Sequence, residues 1–197
     1  GNDPFIFNIK RDYIMSIFDI EDGCNKNMEQ IIYEEMGKIV TRTTKTKWTD
    51  SKYENLKTSS MTMKGDFGES VTSKMYNNID GFKSEVVNKG IGEFDILLTC
   101  GNGVTWRIEH KLATEDTSNS FQFNGIKKDV NYDFVFCMGV SPNDLYFHIL
   151  TKEEAQHLTT MMAKGVAGTY KYTKTKNSML EYTEKNFWEV NKKSLVR

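Results

Sequence analysis

The chain has 197 residues, of which 38% are hydrophobic and 12% aromatic, so it can bury the core of one globular domain. Its formal net charge of −1 excludes a uniformly basic protein, and any surface for a polyanion must be local. The chain has no run of about 18 apolar residues, so no membrane span is predicted, and nothing at the N-terminus resembles a signal peptide. Three cysteines without CxxC spacing predict reduced thiols in a cytoplasmic setting, with neither a disulfide framework nor a zinc site.

Two helices are predicted in the first half of the chain. Residues 5–20 fit either a helix or an edge segment, whereas 27–40 carry apolar side chains at helical spacing, with an asparagine as N-cap. The second helix spans 60–78, where Ser60 can act as the cap. Its apolar stripe is Met63, Phe67, Val71 and Met75.

Two glycines, Gly65 and Gly68, lie inside this second helix. Glycine costs roughly 1 kcal/mol in a helix interior, so the pair predicts close packing against another element. Glu69 follows them, on a different face from the apolar stripe. Either it serves a site or it is a solvated surface acid.

Short apolar runs bounded by turn residues predict five strands. They span 84–88, 94–99, 104–111, 132–140 and 145–150. The segment 121–129 fits an amphipathic turn or the start of a helix, which places a helix between the third and fourth strands. A capping box at 151–154 opens a helix to about residue 163, and a last helix is predicted near 178–185.

An acid and an acid–lysine pair mark the second and third strands. Asp95 lies in an otherwise apolar run, where a carboxylate is costly unless it is paired or coordinated. Alternatively, Asp95 occupies the exposed start of that strand and caps a turn. Glu109 and Lys111 are two residues apart, so they project from the same face of the third strand. The three side chains predict a cradle for a divalent cation with an ammonium group beside it.

Two stretches combine basic residues with hydroxyl or aromatic side chains, at 38–57 and 164–176. Lysine, arginine and small hydroxyl donors are the groups that contact nucleic-acid phosphates. A mobile, solvated loop explains such charges equally well. The residues predicted to contact DNA, including three from the intervening segment, are Arg42, Lys45, Lys47, Asn124, Lys127, Lys128, Lys171, Lys174 and Lys176.

The chain resembles the PD-(D/E)xK nuclease superfamily over about residues 60–163. Phe94-Asp95, then 13 residues, then Glu109-His110-Lys111 match its motif, with phenylalanine in place of the usual proline. Glu69 matches the helical acid of many members. The segment 121–126 resembles the one after the lysine strand, where a glutamine, here Gln122, often supports the site.

The resemblance implies an α/β fold, restriction-endonuclease-like, with a mixed central sheet flanked by helices in one domain, 1–197. It implies Mg²⁺-dependent DNA cleavage, with Mn²⁺ as an alternative ion. Asp95 and Glu109 would bind the metal, together with the His110 backbone carbonyl and Glu69, the latter directly or through water. Lys111 would lie beside the attacking water, and Gln122 would position water or phosphate.

A type II restriction enzyme, cutting a palindromic site as a homodimer, is the leading interpretation. A repair, junction-resolving or RNA-cutting nuclease is a second one. A DNA-binding module with an inactive site is a third. The last is a structural protein in which Glu109, Lys111 and Asp95 form only a surface cross-strand arrangement.

Overall fold

The structure, a computed structural model, describes residues 26–39, 45–87 and 93–195. The possible helix at 5–20 and the predicted DNA contact Arg42 lie outside these ranges. The helices are α1 (Met28–Met36), α2 (Glu54–Thr58), α3 (Met61–Asn77), α4 (Lys152–Leu158) and α5 (Glu184–Leu195). The strands are β1 (Lys83–Val86), β2 (Ile96–Thr99), β3 (Thr105–Thr114), β4 (Ser120–Lys127), β5 (Phe134–Val140), β6 (Leu145–Thr151), β7 (Thr160–Met161), β8 (Thr169–Thr175) and β9 (Leu180–Glu181).

The strands form two sheets. The main sheet has the order β1-β2-β3-β5-β6-β9, and the second sheet has the order β4-β8-β7. All neighbours in the main sheet run antiparallel except β3 and β5, which are parallel. The prediction of a mixed central sheet flanked by helices is therefore confirmed.

Each face of the main sheet has its own core. Ile96, Ile108 and Phe136 face the helical layer and pack with residues of α1, α3 and α5. Val135 and Cys137 face the other way, into a cluster shared with the second sheet and α4. The site-bearing strand β3 is thus covered on both sides.

Several predicted boundaries are wrong. The segment between β3 and β5 is not helical: it forms β4, because Phe121, Phe123 and Ile126 alternate with polar residues and bury completely. The helix predicted to reach residue 163 ends at Leu158. The helix predicted at 178–185 begins only at Glu184, since the preceding residues form a 3₁₀ turn at Lys176–Ser178 and β9.

Other predictions hold. Ser60 caps α3 by accepting the backbone N–H of Met63. Asn27 caps α1 and Thr151 caps α4, both through capping boxes. Cys100 and Cys137 are buried free thiols. None of the helices in the described ranges is long and apolar enough to cross a membrane.

The parallel pair β3–β5 is fixed at its start by Arg107 and Asp133. The Arg107 guanidinium donates to Asp133 at 2.8 and 3.0 Å, and the Arg107 backbone N–H donates to the same carboxylate at 2.8 Å. The Asp133 backbone N–H returns a bond to the Arg107 carbonyl at 2.8 Å. This double link sets the register that places Glu109 beside Val135.

Candidate active site on strands β2 and β3

Asp95 lies half-buried immediately before β2. The strand begins at Ile96, so the acid occupies the strand's start and not its buried middle. Its carboxylate accepts the backbone N–H of His110 at 2.7 Å, while its own backbone N–H donates to the Ile108 carbonyl at 2.9 Å. A side chain thus replaces a main-chain acceptor where β2 and β3 separate, and this bond anchors Asp95 to β3.

Glu109 lies opposite Asp95, because the pairing of Ile96 with Ile108 continues one residue further. The Lys111 ammonium contacts the Glu109 carboxylate at 2.5 Å. Both side chains are mostly buried, with exposed fractions of 13% for Glu109 and 21% for Lys111. The structure therefore brings together the three residues of the predicted cradle.

The pKa of Glu109 lies above its usual value. Burial is the main cause, and the negative charge of Asp95 raises it further. Lys111 and, more weakly, the positive charge of Lys127 act in the opposite direction. Burial and the Asp95 charge together therefore outweigh the two lysines, and Glu109 is a carboxylate held in a desolvated place beside a second acid.

His110 points to the other face of β3 and holds the strand against α3. Its ring is buried, stacks on Phe136 at 5.4 Å between centroids, and shares a 3.0 Å hydrogen bond with the Thr72 hydroxyl. A Cβ at Gly68 would lie 2.5 Å from the ring atom Cε1. The prediction of close packing is thus confirmed at Gly68, but a Cβ at Gly65 would meet nothing nearer than 3.7 Å.

Glu69 is also buried, but it belongs to a different part of the molecule. Its Oε1 lies 3.7 Å from the Cβ position of Gly65, and it lines a cavity of about 430 Å³ with Glu35, Asp66 and Val86 among others. Helix α3 covers the face of β3 opposite to Glu109. In the described ranges no three histidine, cysteine, aspartate or glutamate side chains gather to hold a metal. The structure therefore does not reproduce the predicted acidic cluster of Glu69 with Asp95 and Glu109.

Gln122 and Asn124 are both exposed on β4. Their neighbours Phe121 and Phe123 point into the core that faces the main sheet, so the two amides point away from Glu109. The predicted role of Gln122 in positioning water or phosphate at the cradle has no support in this placement.

The predicted DNA-contacting lysines divide into engaged and exposed groups. Lys47 donates to Glu115 at 3.1 Å and to the Asp116 carbonyl at 2.7 Å, and Lys176 lies 3.7 Å from Glu115. Lys128 donates to the Gln156 carbonyl at 2.7 Å and lies 4.0 Å from the Tyr170 ring centroid. Lys174 donates to the Ser178 carbonyl at 3.2 Å. Lys45 and Lys127 are exposed and Lys171 is half-exposed.

Glu115 is a structural link that the sequence did not reveal. It is only 3% exposed at the end of β3, and it binds lysines from both predicted basic stretches. One buried carboxylate thus joins segments about 130 positions apart in the chain. An acid directly after an apolar strand was the available signal, but nothing in the sequence indicated its partners.

No family model and no curated protein matches the chain. Among solved structures, the fold is similar to that of a bacterial homing endonuclease, I-Ssp6803I. The two share 10% identity, the match covers 68% of this chain and 93% of that chain, and the TM-score is 0.44. This likeness concerns the arrangement of the elements and assigns no residue of the site.

Proposed function

We propose that this protein is a metal-dependent endonuclease that hydrolyses phosphodiester bonds in DNA, in the manner of the PD-(D/E)xK superfamily. The observation that carries the proposal is the cradle itself: Asp95 opposite Glu109, with the Lys111 ammonium 2.5 Å from the Glu109 carboxylate. These residue types, on adjacent strands and largely buried, are those that phosphodiester hydrolysis requires.

The donors present fit Mg²⁺, with Mn²⁺ as a substitute. Mg²⁺ commonly takes one or two protein carboxylates and fills its remaining positions with water and substrate phosphate, so a third acid is not needed. Asp95 and Glu109 would hold the ion, and the His110 carbonyl stays a predicted ligand. When bound, the metal lowers the pKa of a coordinated water and polarises the phosphate.

The chain's own groups do three things in this proposal. The His110 N–H holds the Asp95 carboxylate in place, which leaves its second oxygen for coordination. Lys111 carries a positive charge to the position where negative charge develops on the phosphate oxygens. Lys127, whose charge lowers the pKa of Glu109, is exposed and adds attraction for the DNA backbone near the cradle.

The finer features of the proposal are a type II restriction-like specificity and a homodimer. Two copies of one active site are required to cut both strands of a palindromic duplex symmetrically. Size-exclusion chromatography with light scattering, with and without duplex DNA, measures the oligomeric state. A strictly monomeric complex that cuts both strands would contradict the dimer.

The test is a cleavage assay on supercoiled plasmid, linear duplex, single-stranded DNA and RNA in Mg²⁺, Mn²⁺ or EDTA. We expect metal-dependent cutting of duplex DNA. Lys111→Ala should lower the rate by about 100-fold or more, because a charge that stabilises the transition state is lost. Lys83→Ala is the control, since Lys83 is an exposed lysine on β1 of the same sheet.

Asp95→Asn is the sharper variant. Asparagine keeps a side-chain oxygen for the His110 N–H, so the fold and the melting temperature should be preserved while cleavage is abolished. Retained cleavage in this variant refutes the assigned metal site. Duplex binding without cleavage by the wild type under every metal condition would favour an inactive DNA-binding module instead.

A further inference from the structure

The outer face of the second sheet carries three rows of polar side chains. Ser120 lies opposite Thr175, Gln122 lies opposite Thr173, and the bulge after Phe123 places Asn124 near Lys171. Lys171 in turn pairs with Thr160 of β7. Together seven residues form this reading face: Ser120, Gln122, Asn124, Thr160, Lys171, Thr173 and Thr175. All seven are exposed or half-exposed.

The reading face is chemically one-sided. Its members are amides, hydroxyls and one lysine, with no carboxylate and no apolar residue, although the whole chain has 27 acidic and 26 basic residues. In the described part of the chain, the amides of Gln122 and Asn124 have no hydrogen-bond partner inside the protein. These donors and acceptors are therefore available to a ligand, and the absence of acids favours a polyanion.

Buried side chains support the reading face from the core side. Phe121, Phe123 and Ile126 are completely buried beneath β4, and Tyr172 is 7% exposed beneath β8. Gly125, at φ 77°, lies in the bulge between Phe123 and Ile126, where the pairing of β4 and β8 shifts. The two longer strands of this three-stranded sheet, β4 and β8, form an antiparallel pair, and a pair of strands fits the DNA major groove, which is about 12 Å wide.

We propose that the reading face recognises base edges in the major groove of duplex DNA, and that Gln122 and Asn124 are its specificity-determining residues. Glutamine and asparagine make paired hydrogen bonds to adenine, and threonine methyl groups contact the thymine methyl. From Ser120 to Asn124 the strand rises about 13 Å, which matches roughly four base pairs. This inference rests on the proposed nuclease function and adds the surface that would choose the cutting site.

Strand β4 joins the two surfaces. Lys127 ends β4, which packs against β3, the strand that carries Glu109, whereas Gln122 and Asn124 lie earlier on β4. The distance along β4 from Gln122 to Lys127 is about 16 Å at the ordinary strand rise.

The experiment is selection of binding sequences from a randomised duplex library in EDTA, where no cleavage occurs. We expect the wild type to select a preference over three to five adjacent base pairs that includes adenine. The variant Gln122→Ala/Asn124→Ala should lose affinity for the selected duplex by roughly tenfold to a hundredfold per amide, and keep its affinity for a scrambled duplex within about twofold. Thr173→Ala should weaken the preference at one position. Thr105→Ala is the matched control, an exposed threonine on β3 outside the reading face.

Each outcome is decisive. An unchanged preference in the double variant overturns the inference, as does equal weakening by Thr105→Ala and Thr173→Ala. A wild type that binds and cuts duplex DNA without sequence preference overturns the reading face but keeps the proposed nuclease. A wild type that binds no DNA removes both. Unchanged melting temperatures in the variants exclude unfolding as the cause of any loss.

Discussion

Gly68 sets the distance between helix α3 and the strand that carries the site, and Gly68→Ala tests this directly. The added Cβ would lie 2.5 Å from Cε1 and 3.1 Å from Nδ1 of His110, and 3.2 Å from Leu112 Cδ1. The His110 ring cannot swing away easily, because it is buried, stacked on Phe136 and hydrogen-bonded to Thr72. The helix or the strand must therefore move.

The magnitude follows from two opposing effects. Overpacking a well-filled core costs about 1–3 kcal/mol, whereas alanine is favoured over glycine in a helix by about 1 kcal/mol. We expect a net loss of up to about 2 kcal/mol in the free energy of unfolding, and that upper value is equivalent to a decrease of about 4–8 °C in melting temperature for a chain of this size. Because the His110 N–H holds Asp95, the displacement should also lower the cleavage rate.

Gly65→Ala is the matched control for this experiment. It is the same substitution three residues earlier in α3, where the new Cβ has ordinary contact distance to its neighbour. It should raise the free energy of unfolding by up to about 1 kcal/mol. Urea unfolding followed by circular dichroism measures both variants. A Gly68→Ala protein as stable as Gly65→Ala would refute the close packing and its role in positioning β3.

Three further predictions concern buried groups. Glu115→Gln should lower the free energy of unfolding by about 1–3 kcal/mol at neutral pH, because Lys47 loses a buried partner. Burial raises the pKa of Glu115, but neighbouring side chains outweigh it and hold the pKa below its usual value, so this stabilisation disappears in acid and the two proteins should converge there. Tyr132→Phe should leave stability unchanged or raise it by up to about 1 kcal/mol, because the Tyr132 hydroxyl is buried without a hydrogen-bond partner in the described ranges. A lower free energy of unfolding for this variant, measured by urea unfolding, would show that the Tyr132 hydroxyl has a hydrogen-bond partner. Burial lowers the pKa of His110 to about 3, so the unfolded state binds the proton first and His110 should cost about 1.4 kcal/mol of stability at pH 5.5 relative to pH 7.5. Burial also lowers the pKa of His148, so His148 would contribute to the same pH dependence. The free energies of unfolding at pH 5.5 and pH 7.5 are therefore best compared in the His148→Asn variant. Equal values at the two pH values would contradict a buried, neutral His110.

Most strands of the main sheet were predicted correctly from local patterns. They are short apolar runs bounded by turn residues, and such runs do not show the spacing of a helix. The pairing of Glu109 with Lys111 followed from strand alternation alone. The Asp95–Glu109 juxtaposition required only that β2 and β3 be antiparallel neighbours joined by a glycine turn, which Gly101 and Gly103 indicated.

The sequence failed where long-range pairing decides the structure. In segment 121–129 the core-facing side chains alternate with polar ones, but the segment forms a strand only by pairing with β8, about 50 residues later. Glu69 shows the same limit: its position on α3 was predicted correctly, yet the face of the sheet that α3 covers is a property of the assembled fold. The resemblance to the superfamily motif, without knowledge of the face, led to its assignment to the cradle.

The division of the strands into two sheets has a consequence for how such a protein can change. Substitutions at Gln122, Asn124 or Thr173 alter no strand of the main sheet and remove no buried contact, so their cost in folding should be small. The cradle belongs to β2 and β3, whose backbone bonds do not involve these side chains. On the proposed function, target preference can therefore change while the cradle stays constant, and libraries randomised on this outer surface should yield a high proportion of folded variants.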